Sequence, residues 1–188
     1  MRVLVIPEDP TNNGYILRPL VTRIMAEVGR PHARVQVLTN PRVMGFAQAV
    51  QAMRGQLADR YAFYDLWLFL PDADVAAGLP DLEAEMSQRG IRLMCCAAEP
   101  EIEAWLLAGH RDRLNLPWQE LRRHARLKEG VFEPFLKQHG DPRSAGGGRD
   151  ELMARTLANY RGLLSVCPEL QDLEERLRDA VSAIGGPP

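Results

Sequence analysis

The chain has 188 residues, with 23 Lys plus Arg against 25 Asp plus Glu, a formal net charge of −2. That balance excludes a histone-like basic coat and an acidic solvating tail. Hydrophobic content of 46% and charged content of 26% suit an ordinary folded protein, long enough to bury a real core.

Arg2 to Ile6 reads as a short apolar strand that runs into Pro7-Glu8-Asp9. Gly14 to Val28 predicts a helix with Ile16, Leu17, Leu20, Val21, Ile24 and Val28 on one face, closed by Gly29-Arg30-Pro31. Arg34 to Leu38 alternates β-branched with polar residues, a second strand, and Asn40-Pro41 is a turn. Val43 to Leu57 predicts a helix on Phe46, Val50, Met53 and Leu57. Asp65 to Leu70 is almost wholly apolar, as a strand covered on both faces must be. Leu79 to Arg89 is a helix with an acidic face, Ile91 to Ala97 a fourth strand, and Glu99 to Ala108 begins the next helix. Strands separated by helices predict an α/β fold: a mainly parallel, Rossmann-like four-stranded sheet with right-handed crossovers and helices on both faces.

After Gly109 the strand pattern stops. Pro117 to Ala125, Val131 to Gln138, Asp150 to Ser165 and Pro168 to Ile184 all read as helices. The expected division is an α/β domain over 1–109 and a helical extension packing on it over 110–188. His139 to Gly148 is a loop, with Gly146-Gly147-Gly148 its most flexible part. The tail Gly185 to Pro188 is expected to fray.

Cys95, Cys96 and Cys167 give no disulfide framework, and no zinc-ligand spacing is present. The N-terminus lacks a signal-peptide pattern, and no apolar run approaches the ~18 residues of a membrane span, so the expected location is cytoplasmic. The four histidines show no ligand spacing, and Trp67, Trp105 and Trp118 sit in core-like apolar settings.

In a parallel sheet, function gathers at the carboxyl ends of the strands. Here the first strand ends in Glu8, the third in Asp72-x-Asp74, and the fourth in Glu99, Glu101 and Glu103. Each piece has a bland reading: Asp in a solvated turn, Asp9, Thr11 or Asn12 as helix caps, and glutamates at the positive end of a helix dipole. Three acidic segments at one edge favour a hard cation, Mg2+ or Mn2+, which takes oxygen ligands. On the expected helix Glu99 and Glu103 are i, i+4 and repel unless a cation lies between them.

Charge is uneven along the chain. Residues 109–161 hold 11 basic and 7 acidic side chains, whereas 1–108 hold 10 and 13. Arg122, Arg123 and Arg126, with Arg143 and Arg149 beside the glycines, are the nucleic-acid-contact candidates. A solvated helix face and a plain linker are the alternatives.

VLVIPEDPTNNGYILRPL, LWLFLPDADV and AAEPEIEAWLLAG together resemble the Toprim domain of topoisomerases, primases and OLD-type nucleases. More closely, they look like the Toprim-like DUF4276 and RloB-type families associated with mobile elements and phage defence. The resemblance covers roughly residues 1 to 110. It implies Asp72 and Asp74 as Mg2+ ligands, Glu8 as general acid/base or second ligand, Glu99 or Glu103 completing the shell, and Lys128 as a catalytic-edge cation. It departs where many Toprim domains have Gly after the first Glu and this chain has Asp9. The implied function is a Mg2+-dependent nuclease on DNA or RNA, with a separately encoded ATPase as a candidate partner. A non-catalytic nucleic-acid or partner-binding subunit and a small-substrate metal phosphohydrolase remain the alternatives.

Overall fold

A computed structural model describes residues 1–8 and 12–184, with the backbone alone at 74–75 and 183–184. The expectations on Asp9, Thr11 and the Gly185–Pro188 tail lie outside the described residues. Strands β1 (Arg2–Pro7), β2 (Arg34–Val37), β3 (Leu66–Leu70) and β4 (Leu93–Cys95) make one sheet in the order β2-β1-β3-β4. Every pairing is parallel, as the alternating pattern requires. β1 and β3 are central, and all five residues of β3 are buried. This is why their sequences are continuously apolar rather than alternating.

The two faces of the sheet carry two cores. Val3, Val5, Leu66, Leu68 and Leu70 meet Ile16, Leu20 and Ile24 of α1 (Gly14–Glu27). On the opposite face, Leu4, Ile6, Trp67 and Phe69 meet Met53 of α2 (Phe46–Arg54), Leu57 of α3 (Gln56–Arg60) and Leu82 and Met86 of α4 (Leu79–Gln88).

The rest of the chain is helical: α5 (Glu103–Leu107), α6 (Trp118–Leu121), α7 (Glu133–His139), α8 (Arg149–Ala158), α9 (Tyr160–Leu164) and α10 (Pro168–Ile184). Trp105, Phe132, Leu152, Leu163, Leu170 and Leu177 join the α1 core, so the helical half adds to the apolar layer over the first face of the sheet. Burying each such side chain contributes about 1.5–3 kcal/mol, which fixes α5 and α8 against the sheet layer. All five residues of α5 are buried.

Several boundaries differ from expectation, each for a local reason. The helix expected from Val43 starts at Phe46, because Gly45 takes φ 85° and donates its N–H to the Glu8 carbonyl at 3.0 Å. It breaks at Gly55 (φ −112°, ψ −114°) into α2 and α3. β4 is three residues long, yet Cys96 donates to Phe69 O at 3.0 Å and Ala98 to Pro71 O at 2.7 Å. That extension ends in a bridge between Asp72 and Ala98. The Asp150–Ser165 helix breaks at Asn159, whose side chain accepts the Gly162 N–H at 3.1 Å and starts α9.

The triglycine segment is a packed turn. Gly146, Gly147 and Gly148 have φ of 64°, 65° and 91°, and Gly148 is buried. A Cβ on Gly148 would lie 2.6 Å from the backbone of Gly140 and Asp141, so no larger residue fits.

The outer edge of β4 is closed by side chains. Glu83 Oε1 accepts the Cys95 N–H at 2.5 Å, and Arg176 of α10 donates to Cys95 O at 3.0 Å while pairing with Glu83 at 2.8 Å. This removes a strand edge open to stray pairing. The three cysteines are free and buried, as their apolar setting suggests, and burial pushes their thiols up out of the reactive range. Among the described residues no helix is long and apolar enough to cross a membrane.

Candidate functional site

The carboxyl ends of β1, β3 and β4 open onto a cleft of about 200 Å³ lined by Glu8, Asn13, Met44, Gly45, Asp72, Glu101, Glu103, Lys128 and Glu129. Each carboxylate arrives for a topological reason. Glu8 follows β1 directly, Asp72 follows β3 after Pro71, and Glu101 and Glu103 come from the segment after β4 that enters α5. The Asp72–Ala98 bridge holds the last two segments side by side.

Asp72 is the pivot. Its Oδ1 accepts the Ile102 N–H at 3.1 Å, tying the β3 end to the start of α5. Its carboxyl is pushed up to about 7, chiefly by burial and further by Glu103, Glu8 and Glu101; the Ile102 bond opposes this. Glu103 is 4% exposed and its pKa is also raised by burial, with Lys128 and Arg149 acting the other way. Glu101 is raised by burial while its Oε2 accepts the Lys128 N–H at 2.9 Å. The Lys128 ammonium lies 4.0 Å from Glu103 Oε1. Lys128 occupies a π-helical turn (Lys128–Phe132), a wide turn often found at functional positions. Buried Asn13, just before α1, lines the same cleft and makes no capping bond with its side chain, so the amino end of α1 borders the carboxylates.

Glu8, Asp72 and Glu103 therefore line one cleft, as their places after strand ends suggest, and Lys128, singled out by the resemblance, lines it too. The side chain of Asp74 lies outside the described residues; its backbone is in the 3-10 turn Ala73–Gly78. Glu99 does not line the cleft. The helix expected from Glu99 begins at Glu103, because Pro100 disfavours helical backbone at the residue before it. Glu99 and Glu103 are thus not neighbours on one helix face. Instead Glu99 is largely exposed and pairs with Arg122 at 2.8 Å. Glu101 takes the place expected of Glu99, and the Glu-x-Glu spacing was the signal that could have found it.

Two of the five nucleic-acid candidates are internal. Arg122 is 12% exposed, donates to Glu169 at 2.6 Å and also holds the Glu99 carbonyl at 2.6 Å. Arg149 stacks its guanidinium 5.3 Å from the centre of the Phe132 ring and donates to Gly146 O at 2.7 Å. It is a half-buried positive charge that favours the ionised form of Glu103. Arg126 is exposed and sits 3.7 Å from Glu129; Arg123 and Arg143 are exposed.

Among the described residues no three His, Cys, Asp or Glu side chains stand close enough together to hold an ion as they are placed. The donor chemistry still suits a hard cation: oxygen ligands from Glu8, Asp72 and Glu103, two of them with pKa values raised chiefly by burial. No protein-family model, curated protein or solved structure matches the chain.

Proposed function

We propose that this protein is a Mg2+- or Mn2+-dependent phosphodiesterase acting on nucleic acid, a Toprim-like nuclease of a cellular defence or mobile-element system working in the cytoplasm. The observation that carries the reading is the convergence of four carboxylates from three strand ends on one cleft, with Asp72 pushed up to about 7 by burial and by the other three. Such a site is costly without a cation and apt with one.

Asp72, Glu8 and Glu103 would hold the ion, and the resemblance offers Asp74 as a further ligand. When bound, it would supply charge neutralisation on a phosphodiester and lower the pKa of a water. The chain's own groups do the rest. Lys128 presents an ammonium on the cleft wall, placed to oppose developing negative charge on a phosphate oxygen. The α1 N-terminus adds a fixed positive dipole. Glu101 anchors the Lys128 backbone and so sets the ammonium's position. Arg149 favours the ionised form of Glu103.

The test is cleavage of single- and double-stranded DNA and RNA by the purified chain with Mg2+ or Mn2+. Asp72→Ala and Asp74→Ala should each lower the rate at least ~100-fold, and Lys128→Ala about tenfold to a hundredfold. Full activity in both aspartate variants would overturn the assignment. Hydrolysis of small phosphate esters alone would favour the phosphohydrolase alternative.

A further inference from the structure

We propose that the amino end of the sheet, opposite the cleft, is a contact surface for single-stranded nucleic acid built on Phe63, Arg2, Arg34 and Arg60. Phe63 is one of the exposed large hydrophobic residues, at 57%. It lies in the turn that leads from α3 into β3 and is not isolated. Its ring is 4.9 Å from Tyr64 and 6.5 Å from Tyr61, whose rings are 5.7 Å from each other. Arg2 places its guanidinium 5.3 Å from the Phe63 ring centre, and Arg60 lies 5.9 Å from that of Tyr61.

Register brings in Arg34. Arg2 and Arg34 are paired across β1 and β2, so their side chains leave the same face of the sheet about 5 Å apart along the hydrogen-bonding direction. That face is the one on which Leu4 packs with Trp67 and Phe69. Tyr64 hydrogen-bonds Gln36 of β2, joining the aromatic turn to the same strand.

The guanidiniums of Arg2 and Arg60 lie against the patch's own rings. Among the described residues, Arg2, Arg34 and Arg60 form no ion pair, whereas Arg23, Arg54, Arg122, Arg176 and Arg178 each pair with a carboxylate. Two acids lie close in sequence. Asp65 already accepts the Arg2 backbone N–H at 2.6 Å, and Asp59 is exposed beside Arg60.

Exposed aromatic faces flanked by guanidiniums are what a single strand requires, because bases stack on rings while phosphates meet arginines. An acidic protein would use the arginines but would gain little from the exposed part of the Phe63 ring beside them. A duplex hides its base faces. The proposal does not need an ion in the cleft.

The test is fluorescence anisotropy with a labelled oligothymidylate of about 15 nucleotides, the full chain, low salt and EDTA. Wild type should bind, and Phe63→Ala should weaken binding about tenfold. Arg2→Ala and Arg34→Ala should each reduce the salt slope by about 0.7. Phe63→Trp should keep the affinity. Because Phe63 is exposed, the melting temperature of Phe63→Ala should match wild type. No binding by wild type, unchanged binding by Phe63→Ala and Arg34→Ala, or equal competition by duplex DNA or polyglutamate would overturn the proposal. Loss of cleavage with retained oligonucleotide binding would count against the metal reading alone.

Discussion

Two acidic regions of this molecule are built in opposite ways. Along α10 every buried or half-buried glutamate has a guanidinium: Glu169 pairs with Arg122 at 2.6 Å and Glu174 with Arg178, while α10's own Arg176 holds Glu83 at 2.8 Å. In the cleft, Asp72, Glu101 and Glu103 have no arginine ion pair among the described residues, and Lys128 approaches Glu103 only to 4.0 Å. The pKa directions follow. Glu174 is lowered by its partners, whereas Asp72, Glu101 and Glu103 are all raised. An arginine-rich chain thus pairs Glu169 and Glu174 of α10 with guanidiniums and leaves Asp72, Glu101 and Glu103 without one among the described residues, the contrast on which the proposed cation site rests.

The sharpest way to break the compensated side is Arg122→Ala. It leaves Glu169, with a 12% exposed side chain, without its charge partner, and should destabilise by about 3–5 kcal/mol. A melting temperature lower by ~10 °C checks this. The uncompensated side should behave oppositely. The Asp72 carboxyl goes from 3.8 when unfolded to about 7 when folded. A carboxyl raised on folding costs nothing below pH ~3.8, where both states are protonated, and lowers stability as pH climbs toward 7, where the unfolded state ionises first. The ceiling is about 4 kcal/mol above pH 7. Asp72→Asn keeps the Ile102 bond, so it should raise the melting temperature at pH 8, with the gain closing toward pH 4. Thermal melts of both proteins across that range test the sign.

Gly148→Ala should cost about 1–3 kcal/mol, from a left-handed backbone and a 2.6 Å clash, seen as a lower urea midpoint. A neutral result would mean that the triglycine turn is not packed. The smallest effect belongs to Arg123→Ala: exposed and without an ion pair among the described residues, it should shift stability by less than about 0.5 kcal/mol.

Much of the fold was legible in the sequence because its strongest signal is local. Continuous apolarity in Val3–Ile6 and Leu66–Leu70 marks strands covered on both faces, and the α1 and α10 periodicities give whole helices. The site was legible at Glu8, Asp72 and Glu103, which line one cleft because topology sends strand ends to one edge, whereas Lys128, far in sequence from any strand end, came only from the family resemblance. It failed at Glu99, where periodicity outweighed the restriction that Pro100 imposes. It failed at Arg122 and Arg149 because their partners, Glu169 and the Phe132 ring, are fixed only by tertiary packing. Gly45 shows the same limit: its positive φ serves a bond to the Glu8 carbonyl, a contact invisible to any short window.

On the proposed function, the cleft carboxylates bind a divalent ion. The most direct measurement is Mn2+ titration by calorimetry at pH 8 on wild type and Asp72→Asn. Saturable binding by wild type that is lost in Asp72→Asn is the expected result. Absence of binding by folded wild type, or equal binding by the variant, would contradict it.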